Sequence, residues 1–372
     1  MPHSMPHSPF PGKEVLVTGA AGFTGSVLVR KLAARGAAVR AFVRPGRGPE
    51  TLESLPARWL GGSIMDPGDV AEAVAGVSHV FHLATLFRSP RATYDELHDV
   101  HVLATKRLAE AAARQRPMPR FVHVSTVGVH GHIAHPPADE NYPLNPRDNY
   151  QATKAEAEVW LRDFAHREGL PITIVRPTPI YGPGDRRLFK VFLMVARSLV
   201  LTLGSGKQLY HLIHVDDLTD FMLYIADLPE SVGEVYICGG DEVMRFDDLV
   251  RVIADHYGRK PHTLHMPISP ALALAAVCEK VFPWFGIESP LFKRRVHFFL
   301  CDRSFEITKM RQTGFQLQHA TREGLRETAQ WYLDHAWIQL GRRQSTAMTA
   351  VLKDVTTASL AAEALLRMAS SL

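Results

Sequence analysis

Tyr150 and Lys154 are the two residues whose types and spacing most directly suggest chemistry. They lie four residues apart in a segment, residues 150–168, whose spacing predicts a helix, so their side chains share one face about one turn apart. A tyrosine with its ordinary pKa of about 10 is a poor base near neutral pH, but a neighbouring ammonium stabilises the phenolate and lowers that pKa. The pair therefore predicts proton transfer to or from a bound oxygen.

Two hydroxyl residues, Ser125 and Thr126, stand together at the end of a predicted strand, residues 121–125. Either hydroxyl offers one donor and two acceptor lone pairs, and could bond the same oxygen as Tyr150. The structural alternative is that these hydroxyls only cap the turn after the strand.

A glycine-rich turn follows the first predicted strand and precedes a helix pattern. Gly19, Gly22 and Gly25 are spaced as G-x-x-G-x-x-G, with Phe23 and Thr24 between the last two. Residues without a Cβ allow a tight turn and a close approach of backbone to a pyrophosphate. The helix N-terminus then offers free N–H groups and the positive end of its dipole. This context predicts a dinucleotide-binding loop.

The first half of the chain alternates strand and helix patterns. Repeated βαβ units predict an α/β fold, a Rossmann-type doubly wound parallel sheet that binds ligands beyond the carboxyl ends of its strands. The predicted strands are residues 14–18, 39–43, 59–64, 79–83, 121–125 and 172–176, and the predicted helices are residues 26–35, 94–114 and 150–168.

The domain organisation follows from changes in this alternation of strand and helix patterns. Residues 1–12 read as a disordered leader, residues 13–177 as the dinucleotide-binding domain, and residues 178–340 as a smaller C-terminal substrate lobe with segments returning to the sheet. The tail, residues 341–372, has the spacing of an amphipathic helix, either docked on the protein or used as an oligomer contact.

Composition excludes several classes of function. A net charge of +4 argues against nucleic-acid binding, and 46% apolar residues favour a globular protein with a large core. Three widely spaced cysteines and the absence of close His/Cys motifs predict neither a disulfide framework nor a metal site. Without a run of 18 apolar residues the chain is expected to be cytoplasmic, and aromatic and basic residues at 268–300 suggest peripheral membrane contact.

Several separated motifs together resemble the extended short-chain dehydrogenase/reductases, also called the NAD-dependent epimerase/dehydratase family. The resemblance spans about residues 13–337. Within the family, the chain resembles most the branch of 3β-hydroxysteroid dehydrogenases and dihydroflavonol reductases. The motifs are TGAAGFTG, HVFHLAT, HVSTVGVHG, NYQATK and RPTPIYGPGD.

The resemblance implies roles for individual residues. Counting back from Gly131 makes Thr126 the catalytic hydroxyl, with Ser125 as its neighbour facing the nicotinamide. Tyr150 would exchange the proton while the cofactor exchanges hydride, and Lys154 would also hold the nicotinamide ribose. Further residues expected to line the cofactor are Ser63, Ile64, Leu83, Ala84, Thr85 and Pro177.

The end of the second strand bears on the choice of cofactor. NAD enzymes of this fold usually carry an acidic residue there for the ribose hydroxyls, but this chain has Val43 followed by Arg44. An arginine suits a 2′-phosphate because it is always charged and forms bidentate pairs. NADP(H) is therefore favoured over NAD(H), unless Arg44 is simply a solvated arginine.

Two departures from the family pattern concern the substrate. Pro179 and Tyr210 stand where nucleotide-sugar enzymes of the family typically place an asparagine and an arginine that bind the diphosphate. Residues 188–203 are largely apolar, which indicates either ordinary core or an apolar pocket. We therefore expect a dehydrogenase or reductase that interconverts a hydroxyl and a ketone on a steroid-, lipid- or flavonoid-like substrate.

Two alternatives remain open. The chain could be a nucleotide-sugar 4-epimerase or dehydratase of the same family. It could also be a non-catalytic NADP-binding sensor or scaffold, although such proteins usually lose the Tyr-Lys pair. The resemblance further implies a homodimer that pairs through the helices that follow the fourth and fifth strands.

Overall fold

The computed structural model describes residues 10–44, 57–86, 92–267, 276, 278 and 302–340 of the chain. The strands are β1 (Glu14–Thr18), β2 (Ala38–Val43), β3 (Arg58–Gly61), β4 (His79–His82), β5 (Arg120–Val124), β6 (Ile172–Pro177), β7 (Ile180–Tyr181), β8 (Leu199–Leu203), β9 (Leu209–His211), β10 (Ile213–His214), β11 (Val235–Cys238), β12 (Val243–Arg245) and β13 (His262–Met266). The α-helices are α1 (Phe23–Ala34), α2 (Pro67–Val74), α3 (Tyr94–His98), α4 (Ala104–Ala113), α5 (Asn149–Glu168), α6 (Phe189–Ala196), α7 (Val215–Ala226), α8 (Phe246–His256), α9 (Thr308–Gln312) and α10 (Thr321–Asp334).

A seven-stranded sheet organises the first part of the chain, with strand order β11-β6-β5-β4-β1-β2-β3. Every neighbouring pair in it is parallel. The strand order reverses between β1 and β4, as it does in doubly wound sheets. The fold confirms the prediction of a Rossmann-type parallel sheet.

Both faces of the sheet are covered, so its strands are apolar on both sides. Val15 and Val17 in β1 point into a core that includes residues of α1 and α7. Leu16, between them, points into a second core with residues of α2, α4 and α5. This alternation follows from the two-residue repeat of a strand, and it fixes the directions in which the strand ends point.

The helix predicted over residues 94–114 is interrupted. It begins at Tyr94 with a capping box between Thr93 and Glu96 and ends at Ala113, but a π-helical turn, Asp99–Leu103, separates α3 from α4. The prediction of one continuous helix is therefore wrong at this turn. Apolar spacing does not reveal a turn that is wider by one residue.

The helix that carries Tyr150 has well-defined ends. The Asp148 side chain accepts a hydrogen bond from the Gln151 N–H at the start of α5, and Gly169 ends the helix with a φ of 73°. The helix starts at Asn149, one residue before the predicted start.

The chain divides into two compact units. Of the described residues, the first unit contains 10–44, 57–86, 92–187, 209–244 and 302–328, and the second contains 188–208, 245–267, 276, 278 and 329–340. β11, which follows residue 178 in the chain, pairs with β6 as the edge strand of the large sheet. Within the second unit, β8 pairs in parallel with β13.

Some predicted features lie outside the described residues. These are the leader up to residue 9, the amphipathic tail at 341–372 and most of the aromatic and basic segment at 268–300. Among the described helices, none has the length and apolar character needed to span a membrane.

Candidate functional site

The predicted site residues come together because four strands that precede them are neighbours in the sheet. β6, β5, β4 and β1 lie side by side and run in parallel, so their carboxyl ends share one edge. The glycine turn follows β1, residues 83–86 follow β4, Ser125 and Thr126 follow β5, and Pro177 ends β6. A ligand of a doubly wound sheet binds at this edge.

The glycine turn is packed too closely for other residues at two positions. Gly19 has a φ of 70°, and a Cβ there would lie 2.8 Å from the carbonyl carbon of Leu83. A Cβ on Gly25 would lie 2.2 Å from the Gly19 carbonyl oxygen. Both glycines are therefore required by the turn itself and hold the end of β1 against the segment after β4.

The N-terminus of α1 fits an anionic group. Gly22 is the N-cap, and Phe23 and Thr24 begin the helix. The first turn contains no acidic residue, and no side chain in the described part of the chain caps it. Because the first N–H groups of a helix have no partner within it, they are available to a pyrophosphate.

Lys154 is buried below Tyr150 on α5. Its side chain is 2% exposed, and Nζ donates a hydrogen bond of 3.0 Å to the carbonyl oxygen of Val124, the last residue of β5. Burial lowers the pKa of Lys154 to about 8, while the nearby Glu158 carboxylate acts in the opposite direction. Tyr150, one helical turn before Lys154, is half-buried.

A buried ion pair that the sequence analysis missed lies next to Lys154. The Glu158 carboxylate pairs with the Arg176 guanidinium of β6, and both side chains are almost completely buried. Arg176 Nη1 also donates to the carbonyl oxygen of Glu140 at 2.8 Å. The available signals were a glutamate one turn after Lys154 and an arginine inside an otherwise apolar strand.

The structure separates the two hydroxyl candidates. Ser125 is buried and donates its hydroxyl proton to Glu158 Oε2 at 2.9 Å, so it belongs to the buried network and not to an exposed nicotinamide face. Thr126 is half-buried, and its Oγ1 accepts from the Gly128 N–H at 3.0 Å. That bond leaves the Thr126 hydroxyl proton free to point elsewhere. The Thr126 hydroxyl proton is therefore available to a ligand, whereas the Ser125 hydroxyl proton is already donated to Glu158.

Three buried histidines, which the sequence analysis also missed, lie in β4, in β5 and in the π-helical turn Asp99–Leu103. His82 and His123 face each other with ring centroids 5.2 Å apart, and His101 lies edge-on to the Tyr150 ring at 5.1 Å. Burial, with the Lys154 charge as the second cause, lowers the pKa of His82 to about 3 and that of His101 to about 2. The same causes, in the same order, hold the pKa of His123 well below its ordinary value. All three imidazoles are therefore neutral.

The segment after β4 changes from buried to exposed within three residues. Leu83 is buried, Ala84 is half-buried and Thr85 is exposed. The Ala84 N–H donates to Thr18 Oγ1 at 3.2 Å, which ties this segment to the end of β1. These residues lie at the edge where the sequence predicts the cofactor.

Three residues predicted to contact the cofactor, Arg44, Ser63 and Ile64, lie after β2 and β3. Arg44 is exposed directly after β2. The Ser63 N–H donates to Asp69 at 2.7 Å, and Ser63 Oγ accepts from the Met65 N–H at 3.2 Å, so this hydroxyl also shapes a turn. Ile64 packs against the second core.

The end of β6 presents an unpartnered polar atom. Pro177 is the last residue of the strand and is buried, and the Thr178 N–H donates to the Cys238 carbonyl oxygen at 2.8 Å. Thr178 Oγ1 is buried and meets no hydrogen-bond partner among the residues that the structure describes. A buried hydroxyl of this kind is consistent with a polar ligand at the strand ends.

A second polar cluster lies at the start of α7. His214, Asp216 and His319 bring possible metal-ligand atoms within 4.8 Å of one another. However, Asp216 forms an ion pair of 2.9 Å with Lys31, and the two imidazoles are stacked with centroids 4.0 Å apart and an interplanar angle of 18°. Stacked rings direct their lone pairs in parallel, so they converge poorly on one ion. Asp217 instead anchors the chain by accepting from the His319 N–H at 3.1 Å.

Comparison with known proteins agrees with this geometry. Residues 15–239 match the model of the "NAD dependent epimerase/dehydratase family". A 4-hydroxy-2-methyl-3-oxo-4-farnesyl-3,4-dihydroquinoline-1-oxide ketoreductase of Stigmatella aurantiaca is 31% identical over 72% of this chain and 80% of its own length. A 2-alkyl-3-oxoalkanoate reductase of Stenotrophomonas maltophilia is 30% identical over 84% of this chain and 97% of its own length.

Other similar proteins include one named as an epimerase and one whose crystal structure is known. An N-acetyl-alpha-D-glucosaminyl-diphospho-ditrans,octacis-undecaprenol 4-epimerase of Escherichia coli O157:H7 is 26% identical over 87% of this chain and 96% of its own length. The crystal structure of gox2253 superposes with a TM-score of 0.74 and 26% identity over 88% of this chain and all of that chain.

Proposed function

This chain belongs to the NAD-dependent epimerase/dehydratase family, and from that premise we propose that it is an NAD(P)-dependent oxidoreductase that interconverts a hydroxyl and a ketone on an apolar substrate. The observation that carries the proposal is the Lys154 ammonium, which is buried one helical turn from Tyr150 and bonded to the last carbonyl of β5, two residues before Thr126. This arrangement supports proton transfer by Tyr150 beside a hydroxyl that can orient a carbonyl.

In the proposed mechanism each residue has one task. Thr126 donates its hydroxyl proton to the substrate oxygen, because its lone pair already accepts from Gly128. Tyr150 gives its proton to that oxygen in reduction and accepts one in oxidation, and the Lys154 ammonium stabilises the phenolate that results. A nicotinamide held at this edge of the sheet would supply or receive the hydride. Burial of Lys154 strengthens its effect on the phenolate because few waters screen the charge.

We propose NADP(H) as the preferred cofactor. Arg44 is exposed directly after β2, where a carboxylate would select NAD(H). The glycine turn and the uncapped N-terminus of α1 would hold the pyrophosphate of either cofactor.

The proposed substrate class is a largely uncharged steroid-, lipid- or flavonoid-like compound. Arg176, the arginine of the RPTP motif, forms a buried ion pair with Glu158. Pro179 stands where nucleotide-sugar enzymes of the family typically have an asparagine. Tyr210 is buried and supplies no positive charge. A diphosphate would therefore lack charge-assisted partners at these positions. The names of two reductase relatives, with a farnesyl group and an alkyl chain on their substrates, support the same class.

The alternative is a nucleotide-sugar epimerase or dehydratase, which the family name and the E. coli relative favour. A third possibility is a non-catalytic NADP-binding sensor, which retention of Tyr150 and Lys154 disfavours. Incubation of the protein with NADPH or NADH and a panel of ketones tests the proposal. Oxidation of the cofactor only with apolar ketones is expected. Epimerisation or dehydration of a nucleotide sugar, or cofactor binding without any turnover, would contradict it.

We also propose that the protein is a cytoplasmic homodimer that pairs through α4 and α5. Val159 on α5 is 55% exposed beside Trp160, and the Lys106 ammonium of α4 lies 5.4 Å from the Trp160 ring centre. An exposed valine beside a half-buried tryptophan is suited to packing against the same face of a second copy. Sedimentation of the chain and of Val159→Lys tests this, because the substitution should produce monomers.

A further inference from the structure

His101 makes hydrogen bonds with both of its ring nitrogens, on opposite sides of the imidazole. Nε2 lies 2.8 Å from Thr85 Oγ1 and 3.3 Å from the backbone nitrogen of Leu86, in the segment that follows β4. Nδ1 lies 2.8 Å from Thr153 Oγ1 on α5. The ring therefore connects the segment after β4 to the helix that carries Tyr150 and Lys154.

The partners fix which nitrogen carries the proton. The Leu86 N–H can only donate, so Nε2 must be an acceptor. Thr153 donates its single hydroxyl proton to main-chain carbonyl oxygens, those of Asn149 at 2.9 Å and Tyr150 at 3.2 Å, so its Oγ1 accepts from His101. Both ends of the ring give the same result, a neutral imidazole with its proton on Nδ1.

A neighbouring histidine has its tautomer fixed in the same way. Thr105 donates its single hydroxyl proton to the carbonyl oxygen of His101 at 2.5 Å, so its Oγ1 accepts from His82 Nε2 at 2.9 Å. His82 Nδ1 is then an acceptor, and Thr18 Oγ1, which accepts from the Ala84 N–H, donates its own proton to it at 2.8 Å. The hydrogen bonds around His101 thus extend from β1 to α5 with every donor matched to an acceptor.

The position of His101 brings this network to Tyr150. The residue lies in the π-helical turn Asp99–Leu103, and its buried ring stands at 90° to the Tyr150 ring with centroids 5.1 Å apart. Thr153, which accepts from His101 Nδ1, in turn donates its hydroxyl proton to the carbonyl oxygen of Tyr150 at 3.2 Å. π-helical turns occur frequently at functional sites, where they redirect a side chain.

We propose that His101 is a positioning residue that, as a neutral Nδ1–H imidazole, fixes the cofactor-facing segment 83–86 against the helix carrying Tyr150 and Lys154. The inference rests on the proposed function for the roles of Tyr150 and of the cofactor. Without the acceptor at Nε2, the Leu86 N–H and the Thr85 hydroxyl lose their partner. Without the donor at Nδ1, the segment is released from α5.

Three variants and one control separate positioning from general stability. His101→Leu removes both ring nitrogens at a similar volume, whereas His101→Gln retains one acceptor and one donor with nearly the same separation. Thr153→Val removes the partner of Nδ1 and leaves the imidazole in place. The control is His123→Leu, because His123 is equally buried and neither of its ring nitrogens has a hydrogen-bond partner in the described part of the chain.

The first measurement is the ¹⁵N spectrum of the His101 imidazole in the full chain, assigned by its loss in His101→Gln. We expect the proton on Nδ1 in the wild type and a displaced Nδ1 resonance in Thr153→Val. A proton on Nε2 would overturn the proposal. This readout needs neither cofactor nor substrate, so it remains decisive even if the proposed function fails.

The second measurement is the dissociation constant of NADPH and of NADH, together with kcat for a ketone that the wild type reduces. One lost hydrogen bond corresponds to about tenfold, so His101→Leu should weaken cofactor binding and lower kcat by about tenfold each. His101→Gln should return both to within about threefold of wild type, and His123→Leu should change neither. Wild-type values in His101→Leu, or in Thr153→Val if His101→Leu does not fold, would overturn the proposal. A wild type that binds neither cofactor would refute the proposed function instead.

Discussion

The Lys154 ammonium donates a 3.0 Å hydrogen bond to the carbonyl oxygen of Val124. This bond joins the helix of Tyr150 to the strand that leads into Thr126, so one buried charge holds the two elements that carry the proposed catalytic groups. Burying the ammonium is unfavourable, since charged groups lose solvation inside a protein. The residue should therefore decrease stability while supporting function.

Replacement of this lysine should stabilise the protein near neutral pH. Lys154 has an ordinary pKa of 10.5 and a pKa of about 8 in the fold. Below the folded pKa the cost of burying the charge is fully present, and it disappears as the pH rises from 8 to above 10.5, because the folded state then binds fewer protons than the unfolded state. Lys154→Met should raise the free energy of unfolding near neutral pH by about 3 kcal/mol, because a pKa lowered from 10.5 to about 8 corresponds to about 1.4 kcal/mol for each unit. The same variant should abolish turnover.

Urea unfolding at several pH values checks this prediction. The gain in Lys154→Met over wild type should shrink through the alkaline range. Lys190→Met is the matched control, because Lys190 is exposed and should give a small, pH-independent difference. A stability difference that does not change with pH would contradict the burial cost assigned to Lys154.

The buried pair of Glu158 and Arg176 should be sensitive to loss of one partner. Glu158→Leu leaves an uncompensated guanidinium, which is expected to cost about 3–5 kcal/mol in the free energy of unfolding. The double variant Glu158→Leu, Arg176→Met should recover most of that loss, since no buried charge remains. Chemical denaturation measures both effects. Glu168→Leu, at an exposed position at the end of α5, is the control, with an expected change within about 0.5 kcal/mol. Equal losses in the single and double variants would show that packing, not charge, dominates.

The cofactor preference depends on Arg44. One charge-assisted contact is worth about 1.5–3 kcal/mol, or roughly one to two decades in affinity. Arg44→Ala should weaken NADPH binding by that amount and leave NADH binding nearly unchanged, as measured by titration of each cofactor. Arg30→Ala, at an exposed arginine on α1, should alter neither. If the wild type binds both cofactors equally, Arg44 makes no contact with a 2′-phosphate.

The substrate class can be tested without knowing the substrate. Thermal-shift titration in the presence of NADP should show a rise in melting temperature with steroids, lipids or flavonoids, because burial of an apolar ring system contributes about 25 cal/mol per Å². UDP- and TDP-sugars should have little effect. A strong rise with a nucleotide sugar alone would favour the epimerase alternative.

The sequence was sufficient for features that depend on local pattern. The first six strands of the sheet lie where apolar runs and turns predict them, and the spacing of Tyr150 and Lys154 places them on one face of α5. Asp66 directly precedes Pro67 and is the N-cap of α2, where its side chain accepts from the N–H groups of Gly68 and Asp69. These features follow from periodicity and capping, which operate over a few residues.

Features that depend on tertiary contacts could not be predicted in this way. Ser125 donates its hydroxyl proton to Glu158, which is 33 residues away in the sequence. This hydrogen bond depends on the packing of α5 against β5 and cannot be read from local sequence. The environment of His101 is equally non-local, because its ring nitrogens contact the segment after β4 and the helix α5. Nineteen histidines are visible in the sequence, but their burial and their tautomers are not.

Turnover by Tyr150→Phe tests the central claim most directly. The variant and the wild type are compared for NADPH oxidation with an apolar ketone that the wild type reduces, and for NADPH affinity. Because phenylalanine lacks the transferable proton but leaves the glycine turn and Lys154 in place, kcat should fall by about 10²–10⁴-fold with nearly unchanged cofactor affinity. A Tyr150→Phe variant that turns over at the wild-type rate would contradict the account.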